Sequence, residues 1–165
     1  MDISYCKGGQ KFNYRVAGLL LHENQILAMR DERSPYYYLP GGRVKLGETA
    51  EQAILREIRE ELNLEAQIDR PLWVHQSFFT EDVDHLRYHE LCFYFLMDFT
   101  GTDLLGRGET FWGAEVHHKQ VFEWLDISKL KETYFYPLFL KEKASRLPQN
   151  LELLTIYESD TIGQV

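Results

Sequence analysis

The stretch from Pro40 to Leu64 restricts the fold more than any other part of the chain. Ala50, Ala53, Ile54, Ile58 and Leu62 recur at helical spacing, so a helix over Thr49–Leu62 is predicted with one buried stripe. Thr49 followed by Gln52 is a capping-box pair, and Glu51 suits the positive end of the helix dipole. Asn63 tolerates the left-handed conformation that ends helices. Ahead of the helix, Pro40, Gly41 and Gly42 predict a loop, because glycine reaches backbone angles closed to other residues.

The flanking segments read as extended. Phe12–His22 and Gln25–Arg30 are predicted strands joined by a Glu23-Asn24 turn, and Tyr36–Leu39 is a short extended run. After the helix, Leu72–Phe79, Glu90–Phe99, Val121–Leu125 and Leu151–Tyr157 are predicted strands. Ser128–Glu132 and Pro137–Ser145 are predicted helical, with Pro137 in a first turn. Strands on both sides of a helix imply an α/β layered domain. Gly101–Lys119 is long for a structureless connection, and Gly106, Gly108 and Gly113 would let it close over a ligand.

A chain of 165 residues fits one domain over positions 1–165. Its net charge of −8 argues against a duplex nucleic acid as partner, since phosphate backbones need basic surface. A small phosphorylated ligand remains compatible if a divalent cation stands between it and the protein. Cys92 lies in an apolar run and reads as a small core residue, and Cys6 and Cys92 have no zinc-site spacing. The first residues carry no apolar signal region, and no apolar stretch is long enough to span a membrane. The expected location is the cytoplasm.

Glu57, Glu60 and Glu61 share one face of the predicted helix. Like charges so placed repel by roughly 0.2–0.5 kcal/mol per pair. A solvated acidic face, with Arg56 as partner to Glu60, is the plain explanation. The alternative is a hard divalent cation, because magnesium takes oxygen ligands and shares them with substrate phosphates.

The surrounding residues favour the cation. From Gly42 the segment reads GRVKLGETAEQAILREIREELNL, which resembles the Nudix box at Gly42, Glu48, Arg56, Glu57, Ile58, Glu60, Glu61 and Leu64. Leu39-Pro40-Gly41-Gly42 also looks like the family's lead-in. The box departs at one position, where Asn63 replaces the second glycine, a substitution that preserves a left-handed helix end. The resemblance implies an α/β/α sandwich with a mixed β-sheet and a loop-helix-loop catalytic motif. It implies hydrolysis of a diphosphate linkage in a small nucleotide-like substrate, either a nucleoside triphosphate or a nucleoside diphosphate joined to another moiety. It also implies Mg2+, or Mn2+ in its place.

Carried over by residue, Glu57 and Glu61 are the leading metal ligands and Glu60 a further one. Glu60 is also the first candidate for general base, with Glu109 and Glu115 on the long loop as rivals. Arg56 would orient the glutamates, and Glu48 would join the acidic cluster. Gly41, Gly42 and Arg43 are the substrate-contact candidates, with Arg15 a weaker one. Arg30, Arg33 and Lys45 can also meet phosphate, and Tyr36, Tyr37, Trp73, Phe79, Tyr88 and Trp112 can stack on a base. For each of these, surface or core packing is the plainer role. His75, His85, His89, His117 and His118 read as structural or exposed. A non-catalytic Nudix-like module that binds a nucleotide is the alternative function. Homodimers are frequent in families of this kind.

Overall fold

The structure, a computed structural model, describes residues 1–158. Its elements run β1 (Ser4–Lys7), β2 (Gln10–Leu19), β3 (Leu21–His22), β4 (Gln25–Asp31), β5 (Gly41–Arg43), α1 (Ala50–Leu62), β6 (Gln67–Thr80), β7 (Arg87–Asp98), β8 (Thr110–Trp112), β9 (Gln120–Asp126), α2 (Leu140–Lys143) and β10 (Glu152–Tyr157). Among the described residues these strands form two sheets. The larger is ordered β1-β2-β7-β6-β10 with β5 also on β2, and the smaller β3-β4-β9-β8. The larger sheet is mixed: β2 runs parallel to β7 and β6 to β10, while β6 and β7 are antiparallel.

The period of two along the strands divides the interior. Val16 and Leu20 of β2 and its exit, with Leu27 and Met29 of β4, join Ile54 and Ile58 of α1 in one core. Their neighbours Ala17, Leu19, Ile26 and Ala28 turn the other way and join Leu130, Phe135 and Leu140 in a second. Helix α1 therefore covers one side of the strands, and the segment from Ile127 through α2 covers the other. This is the α/β/α sandwich with a mixed sheet.

Helix α1 begins and ends as its sequence specifies. Thr49 Oγ1 accepts from Gln52 N–H at 3.2 Å, and Gln52 Oε1 accepts from Thr49 N–H at 2.9 Å. Asn63 holds φ 51° and ψ 45°, and its N–H donates to Arg59 O.

Several expectations are corrected. Gly41–Arg43 is not a loop but strand β5, paired antiparallel with Arg15–Ala17. Gly41 has φ +151°, and a Cβ there would stand 2.8 Å from Ala17 Cα, so glycine lets the two backbones meet. The polar N-terminus contains β1, which pairs with β2. The segment Gly101–Lys119 is not structureless: it contains a 3-10 turn at Leu104–Arg107 and strand β8. Leu104 is fully buried, and Arg107 Nη1 donates to Leu62 O at 2.6 Å, which anchors the segment to the end of α1. Ile127–Glu132 is a 3-10 helix capped by Asp126, and α2 starts at Leu140 rather than at Pro137, which follows a cis peptide bond.

Candidate active site

Arg56 ties the box together. Its Nε and Nη2 donate to Glu48 Oε1 and Oε2 at 2.7 and 3.0 Å, and Nη2 also donates to Arg43 O at 3.0 Å. Nη1 donates to Glu57 Oε1 at 2.6 Å and Glu60 Oε2 at 3.1 Å. One guanidinium thus joins the helix to β5 and to the turn before the helix. Bidentate pairing of this kind fixes direction as well as distance. The Arg56 bonds hold Glu48 below the usual carboxylate range.

Glu61 is different. It is 4% exposed, Oε2 accepts from Gly41 N–H at 3.0 Å, and Oε1 lies 3.5 Å from Gln120 Nε2. Burial, then the charges of Glu57 and Glu115, push its carboxyl well above the ordinary value. Burial also raises Glu57, although Arg56 opposes this. Glu57 occupies the space beside Gly42: a Cβ on Gly42 would stand 2.5 Å from Glu57 Cδ. The bare backbone of β5 is what lets the Glu57 carboxylate lie against the strand.

These groups stand at one end of a cavity of about 580 Å³. Glu57, Glu61, Gly41, Gly42, Arg43 and Arg15 all line it, as do Arg33, Tyr36, Phe79 and Tyr88. The Arg15 side chain makes no hydrogen bond or ion pair among the described residues. Burial opposes its charge, but the fields of Glu90, Cys92 and Tyr94 outweigh that and raise its proton affinity. The cavity thus holds a cation with its bonding capacity unspent.

Other expected residues lie outside the cavity. Glu60 is 49% exposed and bound by Arg56, with Lys45 Nζ at 4.0 Å. Arg30 stacks on Tyr37, Trp73 packs on Phe139 in the second core, and Trp112 is 68% exposed. Glu109 is exposed, its carbonyl paired with Trp124 N–H. Glu115 does not line the cavity, yet its charge bears on Glu61, and the adjoining Ala114 N–H donates to Glu61 O at 2.7 Å.

Two carboxylates, one buried, face this end with no lysine or arginine bonded to Glu61. Among the described residues no group of three or more His, Cys, Asp or Glu is arranged to hold a metal ion. The pair Glu57–Glu61 still fits magnesium, which commonly takes one or two carboxylates and completes its shell with water and phosphate oxygens.

Sequence reasoning missed the far end of the cavity. His75, Ser77, Asn13 and Glu90 all line it. Burial pushes the His75 imidazole down to about 4, so it is neutral, and its Nε2 has no partner. The available signal was the recurrence of polar residues at alternate positions, His75 and Ser77 on β6 and Glu90 and Cys92 on β7, within otherwise apolar strands.

Known proteins resemble this chain in sequence and in fold. An ADP-ribose pyrophosphatase of Methanocaldococcus jannaschii is 36% identical over 92 residues, 54% of this chain and 52% of the relative. A Bacillus subtilis protein provisionally named an 8-oxo-dGTP diphosphatase is 41% identical over 69 residues, 41% of this chain and 46% of the relative. The chain thus spans about half the length of the curated relatives it matches. The crystal structure of a NUDIX hydrolase from Nitrosomonas europaea superposes with a TM-score of 0.56 at 19% identity, covering 88% of this chain and 79% of that one. That likeness shows the same fold. The NUDIX domain model matches residues 11–147, and the chain belongs to the NUDIX domain family.

Proposed function

We propose that residues 1–165 form a single catalytic domain that hydrolyses a diphosphate linkage in a nucleoside triphosphate or a nucleoside diphosphate joined to another moiety. Mg2+, or Mn2+ in its place, is held by Glu57 and Glu61. The observation that carries this reading is the buried Glu61 beside Glu57, opening on a cavity in which Arg15 has no partner. The names of the two curated relatives, ADP-ribose pyrophosphatase and 8-oxo-dGTP diphosphatase, support the reaction class.

The metal, when bound, supplies neutralisation of phosphate charge and a more acidic water. The protein's own groups do the rest. Arg56 and Glu48 brace β5 against α1, so Glu57 keeps its place beside Gly42. Arg15 binds a phosphate oxygen, and Arg43 does so from the rim, where Asp2 is 3.6 Å away. For the proton of the attacking water, Glu60 on the helix and Glu115 on the segment after β8 are the two candidates. Glu60 is half-exposed and bonded to Arg56, and Glu115 lies off the cavity on a segment bonded to Glu61's own carbonyl.

The test is a panel of nucleoside triphosphates, ADP-ribose and dinucleoside polyphosphates with Mg2+, with products resolved by phosphorus NMR. Cleavage within a diphosphate of at least one compound is expected. Tight binding across the panel with no cleavage would make the protein a non-catalytic binding module.

A further inference from the structure

Moving along the larger sheet away from Glu61, the cavity floor is built in rows. Ala17 and Tyr94 are level with Gly41; Arg15, Cys92 and His75 form the next row; Asn13, Glu90 and Ser77 the one after. Two residues separate successive rows on each strand, so the Glu90 row lies about 13 Å along β2 from the Gly41 row. That is comparable with the reach from a nucleotide's phosphate to the outer edge of its base.

The Glu90 row has bonding capacity to spare. Glu90 makes one long contact, from Asn13 Nδ2 at 3.4 Å. Ser77 is 4% exposed and His75 3% exposed; both line the cavity, and neither side chain has a hydrogen-bond partner among the described residues. Polar groups so deeply buried are ordinarily satisfied, and here the cavity is the side from which a partner can come. Glu158, Asp82 and Glu81 line the same end, and Asp82 and Glu90 add to burial in raising the Glu158 carboxyl. Carboxylates accept and do not donate, so this end suits a group rich in N–H donors and repels a second phosphate.

The walls suit a flat ring. Phe79 and Tyr88 stack on each other at 5.1 Å, and Tyr36 sits edge-on to Tyr136 at 5.0 Å, all four on the cavity. Aromatic walls with a carboxylate floor define a subsite for a heterocycle read along its edge.

We propose that Glu90 is a specificity-determining residue that accepts two parallel N–H donors from the 2-amino-6-oxo edge of a guanine-type base. This rests on the reading that the Glu57–Glu61 end takes the diphosphate. Guanine offers N1–H and an exocyclic amine side by side, which matches the two oxygens of a carboxylate. Adenine offers an amine beside a bare ring nitrogen, whose lone pair faces the carboxylate. Inosine keeps N1–H and lacks the amine.

The test is calorimetric binding of GMP, IMP and AMP to the wild-type protein and to Glu90→Gln, with folding checked by circular dichroism. These monophosphates contain no diphosphate, so binding is read independently of hydrolysis. In the wild type, GMP should bind at least about tenfold tighter than IMP or AMP. In Glu90→Gln that preference should fall to about threefold or less, because the amide nitrogen meets the base's own donors. Equal binding of GMP and AMP by the wild type, an unchanged preference in a folded Glu90→Gln, or no binding of any of the three overturns the proposal. A guanine preference with no diphosphate cleaved would leave this inference standing and sink the hydrolase reading. Diphosphate cleavage with no base preference would do the reverse.

Discussion

Glu61 is the residue on which burial and charge conflict most. Its carboxyl titrates above the ordinary value of 4.5 because it is buried beside Glu57. The native state therefore holds a proton that the unfolded chain has released. Stability falls as pH rises from the ordinary carboxylate range through the raised value, and stays low above it. Without metal, Glu61→Gln should melt a few degrees above the wild type at neutral pH, and the gap should close in acid below 4.5. A lower melting temperature at neutral pH would mean that the bond to Gly41 outweighs the buried charge. Asn63 allows a cleaner test of backbone. At φ 51°, Asn63→Gly should be neutral or mildly stabilising in thermal melts, and Asn63→Val should destabilise by roughly 1–2 kcal/mol. Equal stability of the two variants would contradict a strained left-handed position. Both roles were legible in part: Asn63 from its place after the last apolar residue, Glu61 from its spacing to Glu57. The burial of Glu61 was not legible, because it depends on Gly41 and Gln120, which are distant in sequence.

Among the elements, α1 was the most legible, because its cap, stripe and terminus all lie within the segment itself. Thr49→Ala removes one half of the capping box and should cost about 1 kcal/mol in chemical denaturation, with no change in the cavity. The short strands were harder. The two-residue Gly8-Gly9 connection was a hairpin signal, but the few polar residues of β1 hid the strand before it. Strand β5 was hidden because Gly41 and Gly42 read as loop residues, while the structure uses their lack of side chains to bring strand against strand and Glu57 against strand. The segment after β8 is tied to the box helix, since Ala114 is bonded to α1 at Glu61. With Glu115 as base, Glu115→Gln should lose rate by orders of magnitude and lose the acidic limb of its pH–rate profile, while Glu60→Gln keeps that limb. The opposite pattern would place the role on the helix, at Glu60.

At the scale of the molecule, the layering follows from alternation in β2 and β4, where adjacent residues feed opposite cores. The order of strands did not follow from the sequence, since the parallel pairings of β2 with β7 and β6 with β10 join segments far apart in the chain. The cavity has the same origin: the Glu57–Glu61 end comes from one contiguous box, and the far end from alternate positions on β2, β6 and β7. The most direct measurement of the whole arrangement is the Mg2+ dependence of diphosphate cleavage in the wild type, Glu57→Gln and Glu61→Gln. The expected result is cleavage that requires the cation and is abolished by EDTA, with both folded variants slower by orders of magnitude at any Mg2+ concentration. Wild-type rates in both variants, or cleavage undiminished by EDTA, would contradict a catalytic cation held by this pair.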